Sequence, residues 1–236
     1  MNVLIVRYGA YGDILITTPL IRHLKSQGHT IYYLTSERGV EVLKHNPHIK
    51  EVILQKTDSI DFDKLEDHIK SMSKKYRCEK TYDLCESIEV ALSQHPRSPN
   101  YNLPKYERFE KFNRNFYEYT FEFAGVDWTG VNLKPELFFG QEDKLDKHIK
   151  PDKFNILIGM SGSNTNKTYP LTEHLVGSML NMAKDHIHII TVGDEKCKLI
   201  EPVEPKYITN LSGQITMKQS MYLTSKVNLV ISPDRS

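Results

Sequence analysis

Residues 3–13 read Val-Leu-Ile-Val-Arg-Tyr-Gly-Ala-Tyr-Gly-Asp, and this stretch decides the fold class. Its first four residues form a short apolar run, which is typical of a strand buried on both faces of a parallel sheet. A glycine-containing turn follows, and Leu20, Ile21 and Leu24 then recur at the spacing of an amphipathic helix. A buried strand, a glycine turn and a helix in this order predict the first unit of a doubly wound α/β fold.

The same alternation continues along the chain. Pro19 leaves two possibilities, a kinked helix or a regular helix that starts at Thr18 with Pro19 in its first turn. Aromatic residues between Phe109 and Phe123 recur at helical spacing and predict one face of a single helix that Gly125 ends. Further strands are predicted at 30–35, 51–54, 81–85, 155–159, 187–192, 207–211 and 227–231.

The polar and charged residues 141–153 mark the predicted linker between two Rossmann-like domains, 1–140 and 154–236. The chain ends directly after a strand that should be central, whereas a doubly wound half usually has about five or six strands. Because each strand–helix unit takes roughly 30 residues, we expect the second domain to be incomplete, with roughly 60 to 100 residues absent.

Composition narrows the function classes. The 236 residues are 39% apolar and 26% charged, which is ordinary for a globular protein with a sizeable core. Lys and Arg number 31 against 30 Asp and Glu, so no charge bias points to nucleic acid as a partner. Three cysteines without metal or disulfide spacing indicate a reduced, cytoplasmic setting. The apolar run at 3–6 is too short for a signal peptide or a membrane span.

Candidate site residues follow the predicted strands, at the edge where ligands bind in open α/β sheets. Gly12 and Asp13 come after the first strand, in a turn that lacks the G-x-G-x-x-G dinucleotide pattern. Asp13 is either the N-cap of the helix or a general base that takes a proton from a hydroxyl. Carboxylates suit the second role because they are generally ionised near neutral pH.

In the second half, residues 159–170 follow a strand and are rich in small hydroxyl residues. Ser161, Ser163 and backbone amides near a helix start can hold phosphate oxygens, and Lys167 can neutralise their charge. The alternative is a polar loop with a solvent-exposed lysine.

Two further turns also follow strands. In Gly193-Asp194-Glu195 a carboxylate either accepts hydrogen bonds from a ribose or caps a helix. Asp234, in Ser232-Pro233-Asp234, is either a ligand contact or part of a plain turn. His186 and His188 share one strand face, but no third metal ligand is evident, so we expect surface histidines and no metal site.

Taken in order, these motifs resemble those of glycosyltransferase family 9, the lipopolysaccharide heptosyltransferase family. The strongest match is the opening, with Val3 to Arg7, Gly12-Asp13-Ile14 and Thr18-Pro19-Leu20. The likeness covers most of the chain, with a weak middle from about 55 to 110. In the second half it rests on Ser161-Gly162-Ser163, Lys167-x-Tyr169-Pro170, Gly193-Asp194-Glu195, Leu211-Ser212-Gly213 and Ser232-Pro233-Asp234.

The resemblance implies a GT-B fold, with the active site in a cleft between two Rossmann-like domains. Asp13 would be the base of an inverting glycosyl transfer, by match to the family's catalytic aspartate. Ser163 and Lys167 would hold the donor diphosphate, with Glu195 or Asp194 near the nucleoside and Asp234 near the donor sugar. The full set of donor-binding residues would be Gly12, Ser161, Ser163, Lys167, Gly193, Glu195 and Asp234.

The resemblance also implies the partners. The donor would be a nucleotide sugar such as ADP-heptose, used as a co-substrate without a metal or other cofactor, and the acceptor a glycan or glycolipid such as lipopolysaccharide core. From its residues, the aromatic helix with its basic flanks either packs in the core or presents a basic amphipathic surface to a membrane, at its inner face, or to an anionic acceptor. Alternatives are a truncated, inactive sugar-nucleotide-binding module and another GT-B enzyme such as a sugar-nucleotide epimerase.

Overall fold

The strand–helix alternation is present in the computed structural model, which describes residues 1–56, 59–61, 64–85, 102–159, 168–197 and 205–233. The chain divides into two compact units, Met1–Phe138 and Phe139–Ser236. Within the described residues, each unit contains a parallel sheet of four strands. The prediction of two doubly wound α/β units is therefore confirmed.

The first unit has the sheet order β3–β2–β1–β4. Strand β1 is central, and its apolar residues from Val3 to Val6 have no exposed surface. The strand order reverses at β1, so the carboxyl ends of β1 and β4 flank the topological switch point, where open α/β sheets bind ligands. The strands are β1 (Asn2–Val6), β2 (Thr30–Thr35), β3 (Ile49–Leu54) and β4 (Lys80–Asp83).

The helices of this unit begin and end largely where the sequence predicts. Of the two possibilities left by Pro19, the structure has the second, because a new helix begins at Thr18 and Pro19 lies in its first turn. In the next helix, Glu37–Leu43, Gly39 lies so close to the Thr35 side chain that a Cβ on Gly39 would overlap the Thr35 hydroxyl. The absence of a side chain at Gly39 lets that helix pack tightly on β2. The helices are α1 (Tyr11–Leu15), α2 (Thr18–Ser26), α3 (Glu37–Leu43) and α4 (Leu65–Lys75).

The single aromatic helix predicted in the first half is wrong. The structure instead has α5 (Lys105–Phe112) and α6 (Phe116–Phe123). The side chain of Asn115 accepts a hydrogen bond, at 2.9 Å, from the amide two residues further on, and an asparagine in this position starts a new helix. Tyr119 on α6 is therefore buried, while Phe109 on α5 is 61% exposed.

The second unit repeats the first, with the sheet order β7–β6–β5–β8. Its switch point therefore lies between the carboxyl ends of β5 and β8. The segment predicted as a linker packs on this unit, because Leu145 and Ile149 contact the buried cluster that contains Leu157. The elements are β5 (Phe154–Ile158), α7 (Thr172–Ala183), β6 (Ile187–Thr191), β7 (Ile208–Asn210), α8 (Met217–Thr224) and β8 (Leu229–Ile231). None of the helices in the described ranges is long and apolar enough to cross a membrane.

The prediction of surface histidines is wrong for His188. This residue lies on β6 with 1% of its surface exposed, between Asn155 of β5 and Thr209 of β7. Its Nδ1 is 3.2 Å from the Asn155 Oδ1, and its Nε2 is 2.9 Å from the Thr209 Oγ1. Because the Asn155 amide nitrogen donates to two backbone carbonyls, its oxygen is the acceptor, so we assign the hydrogen of a neutral imidazole to Nδ1.

This buried histidine predicts a loss of stability in mild acid. Burial lowers the pKa of His188 below the usual 6.5; the charges of Lys150 and His148 lower it further, while Asp152 opposes them. At a pH well above 6.5, the imidazole is neutral in both the folded and the unfolded chain. As the pH falls through 6.5, the unfolded chain takes up a proton that the folded chain does not, so the free energy of unfolding decreases.

We therefore expect a lower urea midpoint at about pH 5.5 than at about pH 7.5, and a smaller difference in His188→Gln than in the wild type. His186→Gln is the matched control, because His186 precedes the same strand but is exposed. It should retain the wild-type difference. Equal pH dependence in His188→Gln and the wild type would contradict this account.

Candidate functional site

Arg7 directly follows β1 and links three strands at their carboxyl ends. Its backbone N–H donates to the Leu34 carbonyl at 3.2 Å, and its own carbonyl accepts from the Thr35 hydroxyl at 2.7 Å. Its side-chain Nη1 donates to the carbonyl of Leu84, just after β4, at 3.3 Å. The ends of β1, β2 and β4 therefore meet at one residue, which is 1% exposed.

The guanidinium of Arg7 forms an ion pair with Asp13. Its Nη2 lies 3.3 Å from the Asp13 Oδ1, and the two side chains are 1% and 11% exposed. Neither Nη2 nor Nε has a hydrogen-bond partner among the described residues, so the attraction is one of charge rather than of hydrogen-bond geometry. Solvent and salt screen such a buried pair far less than a surface pair.

Asp13 is not the N-cap of α1, which is one of the two roles that the sequence leaves open. The N-cap is Ala10, and Asp13 is the third helical residue. Its Oδ2 accepts a hydrogen bond from the Ala10 N–H at 2.7 Å, which satisfies an amide that the helix itself leaves unpaired. A carboxylate offers about four acceptor positions, so this amide and Arg7 leave room for a ligand hydroxyl on the part of the side chain that is exposed.

Gly9 and Gly12 both lie near Asp13, but the structure requires glycine only at Gly9. Gly9 has a φ of +123°, and a Cβ there would lie 2.5 Å from the Asp13 Oδ2, so the turn itself excludes any other residue. Gly12 has ordinary helical geometry and is exposed, and no described atom lies within 4 Å of where its Cβ would be. Packing within the described residues therefore gives no reason for a glycine at Gly12, and the open space next to Asp13 suits a ligand.

Two titratable groups near this turn, Tyr8 and Cys85, have raised pKa values. Burial, with added repulsion from Cys85 and Asp83, raises the pKa of Tyr8, whose hydroxyl donates to the Gln55 Oε1 at 2.5 Å. Burial raises the pKa of the Cys85 thiol well above its ordinary value. A raised pKa does not suit a group that must take a proton, so neither Tyr8 nor Cys85 is a candidate base.

In the second unit, Gly193 and Glu195 lie where the loops after β6 and β7 meet. The Gly213 N–H donates to the Gly193 carbonyl at 2.8 Å. Gly193 has a φ of +127°, and a Cβ there would overlap the sulfur of Cys197. The Glu195 carboxylate lies so close to Gly213 that a Cβ on Gly213 would overlap it, and Glu195 is exposed at the carboxyl end of the sheet.

The other candidates lie outside the described residues: Ser161, Ser163, Lys167 and Asp234. Their roles stay predictions. Sequence reasoning also missed Arg7 as a member of the site. The available signal was its position, because a charged residue directly after a fully apolar strand must either reach solvent or be buried against an opposite charge.

No family model matches the sequence, and no curated protein matches it. Solved structures do match its fold. A glycosyl transferase of family 9 from Veillonella parvula DSM 2008 has a TM-score of 0.68 at 15% identity, over 98% of this chain and 75% of that one. The E. coli ADP-heptose lps heptosyltransferase II has a TM-score of 0.62 at 16% identity, over 100% of this chain and 80% of that one.

The E. coli heptosyltransferase WaaC, solved with ADP-2-deoxy-2-fluoro heptose, has a TM-score of 0.59 at 15% identity, over 100% of this chain and 83% of that one. At such identities the likeness establishes the fold. The GT-B fold class that the family resemblance implies is therefore confirmed.

The two glycines beside Asp13 should respond in opposite ways to the same substitution. We expect Gly9→Ala to lower the free energy of unfolding by about 1–3 kcal/mol, because it combines a disfavoured φ with a clash against Asp13. Gly12→Ala should leave stability unchanged or raise it by up to about 1 kcal/mol, because alanine favours a helix. Urea unfolding of both variants measures this, and a Gly12→Ala protein as unstable as Gly9→Ala would contradict the geometry.

Proposed function

We propose that this protein is an inverting glycosyltransferase. It would move a sugar such as heptose from a nucleotide-sugar donor to a glycan or glycolipid acceptor such as lipopolysaccharide core. The observation that carries the proposal is the Asp13 carboxylate, held by a buried arginine at the switch point of a fold shared with heptosyltransferase structures. Ligands bind at this point in open α/β sheets.

In the proposed reaction, Asp13 takes the proton from an acceptor hydroxyl. The acceptor oxygen forms a bond to the anomeric carbon of the donor sugar, and the bond from that carbon to the phosphate oxygen breaks. The electron pair of the broken bond leaves with the nucleoside diphosphate. Attack on the face opposite the leaving group inverts the anomeric configuration. A positioned base typically contributes about 10²- to 10⁴-fold to such a step.

The proposed donor-binding residues are Gly12, Ser161, Ser163, Lys167, Gly193, Glu195 and Asp234. Ser161, Ser163 and Lys167 would hold the diphosphate, and the lysine would stabilise the charge that develops on the leaving group. The open face at Gly12 supports a close approach of the donor. No metal or other cofactor is required in this scheme, since the lysine and backbone amides supply the positive charge.

Two further carboxylates would complete the donor site. Glu195 would accept hydrogen bonds from the ribose, and its exposed position next to Gly213 at the carboxyl end of the sheet supports this role. Gly193 would shape the same loop, and Asp234 would contact the donor sugar.

We further propose that the protein works in the cytoplasm at the inner face of the membrane, where a glycolipid acceptor is accessible. The exposed aromatic side chains of Tyr106 and Phe109 on α5 support contact with a lipid surface. Lys105 and Lys111 lie on the same helix and suit anionic headgroups.

Nucleotide-sugar binding tests the donor half of the proposal. We expect ADP-heptose, or another nucleotide sugar in a panel, to raise the thermal unfolding midpoint, since a ligand at about 100 times its dissociation constant adds about 2.7 kcal/mol. Lys167→Ala should reduce this shift, and so should Gly12→Ala, whose methyl group would obstruct the donor. Lys184→Ala, at the exposed end of α7, is the matched control. No shift with any nucleotide sugar at millimolar concentration would contradict the donor site.

Substitution of the base tests the acceptor half. We expect Asp13→Asn to lower the rate of sugar transfer by about 10²- to 10⁴-fold while donor binding stays intact, because asparagine can still accept the Ala10 hydrogen bond but cannot take a proton. Asp67→Asn, an exposed site on α4, controls for loss of a surface charge.

Retained turnover in Asp13→Asn would remove the residue from the mechanism. If the wild-type chain binds donor but transfers to no acceptor in a panel of glycans and glycolipids, it is instead the inactive sugar-nucleotide-binding module.

A further inference from the structure

The burial of Arg7 needs an explanation beyond stability. The residue is 1% exposed, and two of its side-chain nitrogens lack hydrogen bonds within the part of the chain that the structure describes. Unpaired polar groups cost free energy in a protein interior. A buried ion pair is often no more stabilising than well-packed apolar side chains of similar volume. The fold alone therefore gives little reason for an arginine at this position.

The position of the guanidinium is fixed by the sheet. Arg7 is held at the end of β1 because its N–H donates to the Leu34 carbonyl and its own carbonyl accepts from the Thr35 hydroxyl. Its Nη1 donates to the Leu84 carbonyl beyond β4. The guanidinium also forms the ion pair with Asp13. The sheet thus presents a positive charge at a defined point against the carboxylate.

Each carboxylate oxygen of Asp13 has its own anchor. Oδ2 accepts from the Ala10 N–H at 2.7 Å, while Oδ1 lies 3.3 Å from the Arg7 Nη2. A carboxylate held at one oxygen can still rotate about its last side-chain bond, which has a broad torsional preference. Anchors on both oxygens restrict that rotation and leave fewer orientations for the remaining lone pairs.

We infer that Arg7 is a positioning residue, which fixes the Asp13 carboxylate in the orientation that receives the acceptor proton. The inference rests on the proposed function for its kinetic consequence. Its structural part, the orientation of Asp13, can be measured without any substrate.

The substrate-free test is amide hydrogen exchange in ¹⁵N-labelled protein. The Ala10 amide reports on the carboxylate, because it donates to the Asp13 Oδ2. The Ile16 amide is the internal reference, because it donates to the Gly12 carbonyl within the same short helix at 3.0 Å. We expect Arg7→Met to speed exchange at Ala10 by on the order of tenfold relative to Ile16, and Arg7→Lys to restore much of the protection.

The result that overturns the inference is unchanged relative exchange at Ala10, or equal acceleration at Ala10 and Ile16. Equal acceleration would mean that Arg7 merely supports the helix. Should Arg7→Met fail to fold, Arg7→Gln is measured in the same way, because glutamine is polar and keeps side-chain N–H donors but lacks the charge.

The kinetic test is a double-mutant cycle with Asp13→Asn. We expect Arg7→Met to lower kcat by about tenfold to a hundredfold, with the donor KM changed by no more than about twofold, since misplacing a reacting group costs rate rather than donor binding. In the Asp13→Asn background the same change should have no further effect, because Arg7 acts through that carboxylate.

A full-sized further loss in the Asp13→Asn background would overturn the positioning role. If the wild-type chain transfers no sugar, the proposed function fails, while the amide comparison still decides whether Arg7 orients Asp13.

Discussion

The ion pair between Arg7 and Asp13 is the constraint around which the first unit is organised. It joins the end of the central strand to the first helix, with 3.3 Å between the charged atoms and little exposure of either side chain. To hold it, the turn must be tight, which accounts for the positive φ of Gly9 and its contact with the carboxylate. The helix that carries Asp13 ends at Leu15, and Thr17 beyond it lies 2.8 Å from the buried Tyr33 hydroxyl. The turn and the ion pair together place the carboxylate at the end of the central strand.

The second unit has the same strand order but a different chemistry at its carboxyl edge. The loop after β6 carries Asp194 and Glu195, which are both exposed, and the Glu195 carboxylate lies close to the backbone of Gly213. An exposed carboxylate suits hydrogen bonding to a ribose hydroxyl. The two sheets thus present one carboxylate paired with a buried arginine and others that are exposed, as the proposed transfer between two substrates would use.

Sequence predicted the fold well where a local pattern decides the outcome. The buried run at 3–6 gave the central strand, and Pro19 limited the first helix to two arrangements, one of which is observed. It failed where a single side chain overrides a longer pattern. Asn115 starts a new helix in the middle of a continuous aromatic periodicity. His188 is buried because Asn155 and Thr209 on neighbouring strands satisfy its ring nitrogens, and neither pairing is visible in a single strand.

In the candidate site, too, sequence predicted what a local pattern decides and missed what depends on contacts between distant residues. Asp13 could be placed at the end of the first strand from order and spacing, but its two anchors could not, because one is a backbone amide and the other depends on how far a buried guanidinium reaches. Gly12 and Gly9 look equivalent in sequence, and they differ only in backbone φ and in what lies near a missing Cβ.

The most direct test of the account is a crystal structure of the chain with an acceptor identified by the transfer assay. The decisive quantity is the distance from the reactive hydroxyl of the acceptor to the carboxylate oxygens of Asp13. If Asp13 is the base, this distance is a hydrogen-bonding one, about 2.6–3.2 Å, with Arg7 still paired to the same carboxylate. An acceptor bound away from the carboxyl end of β1, with its reactive hydroxyl out of reach of Asp13, would contradict it.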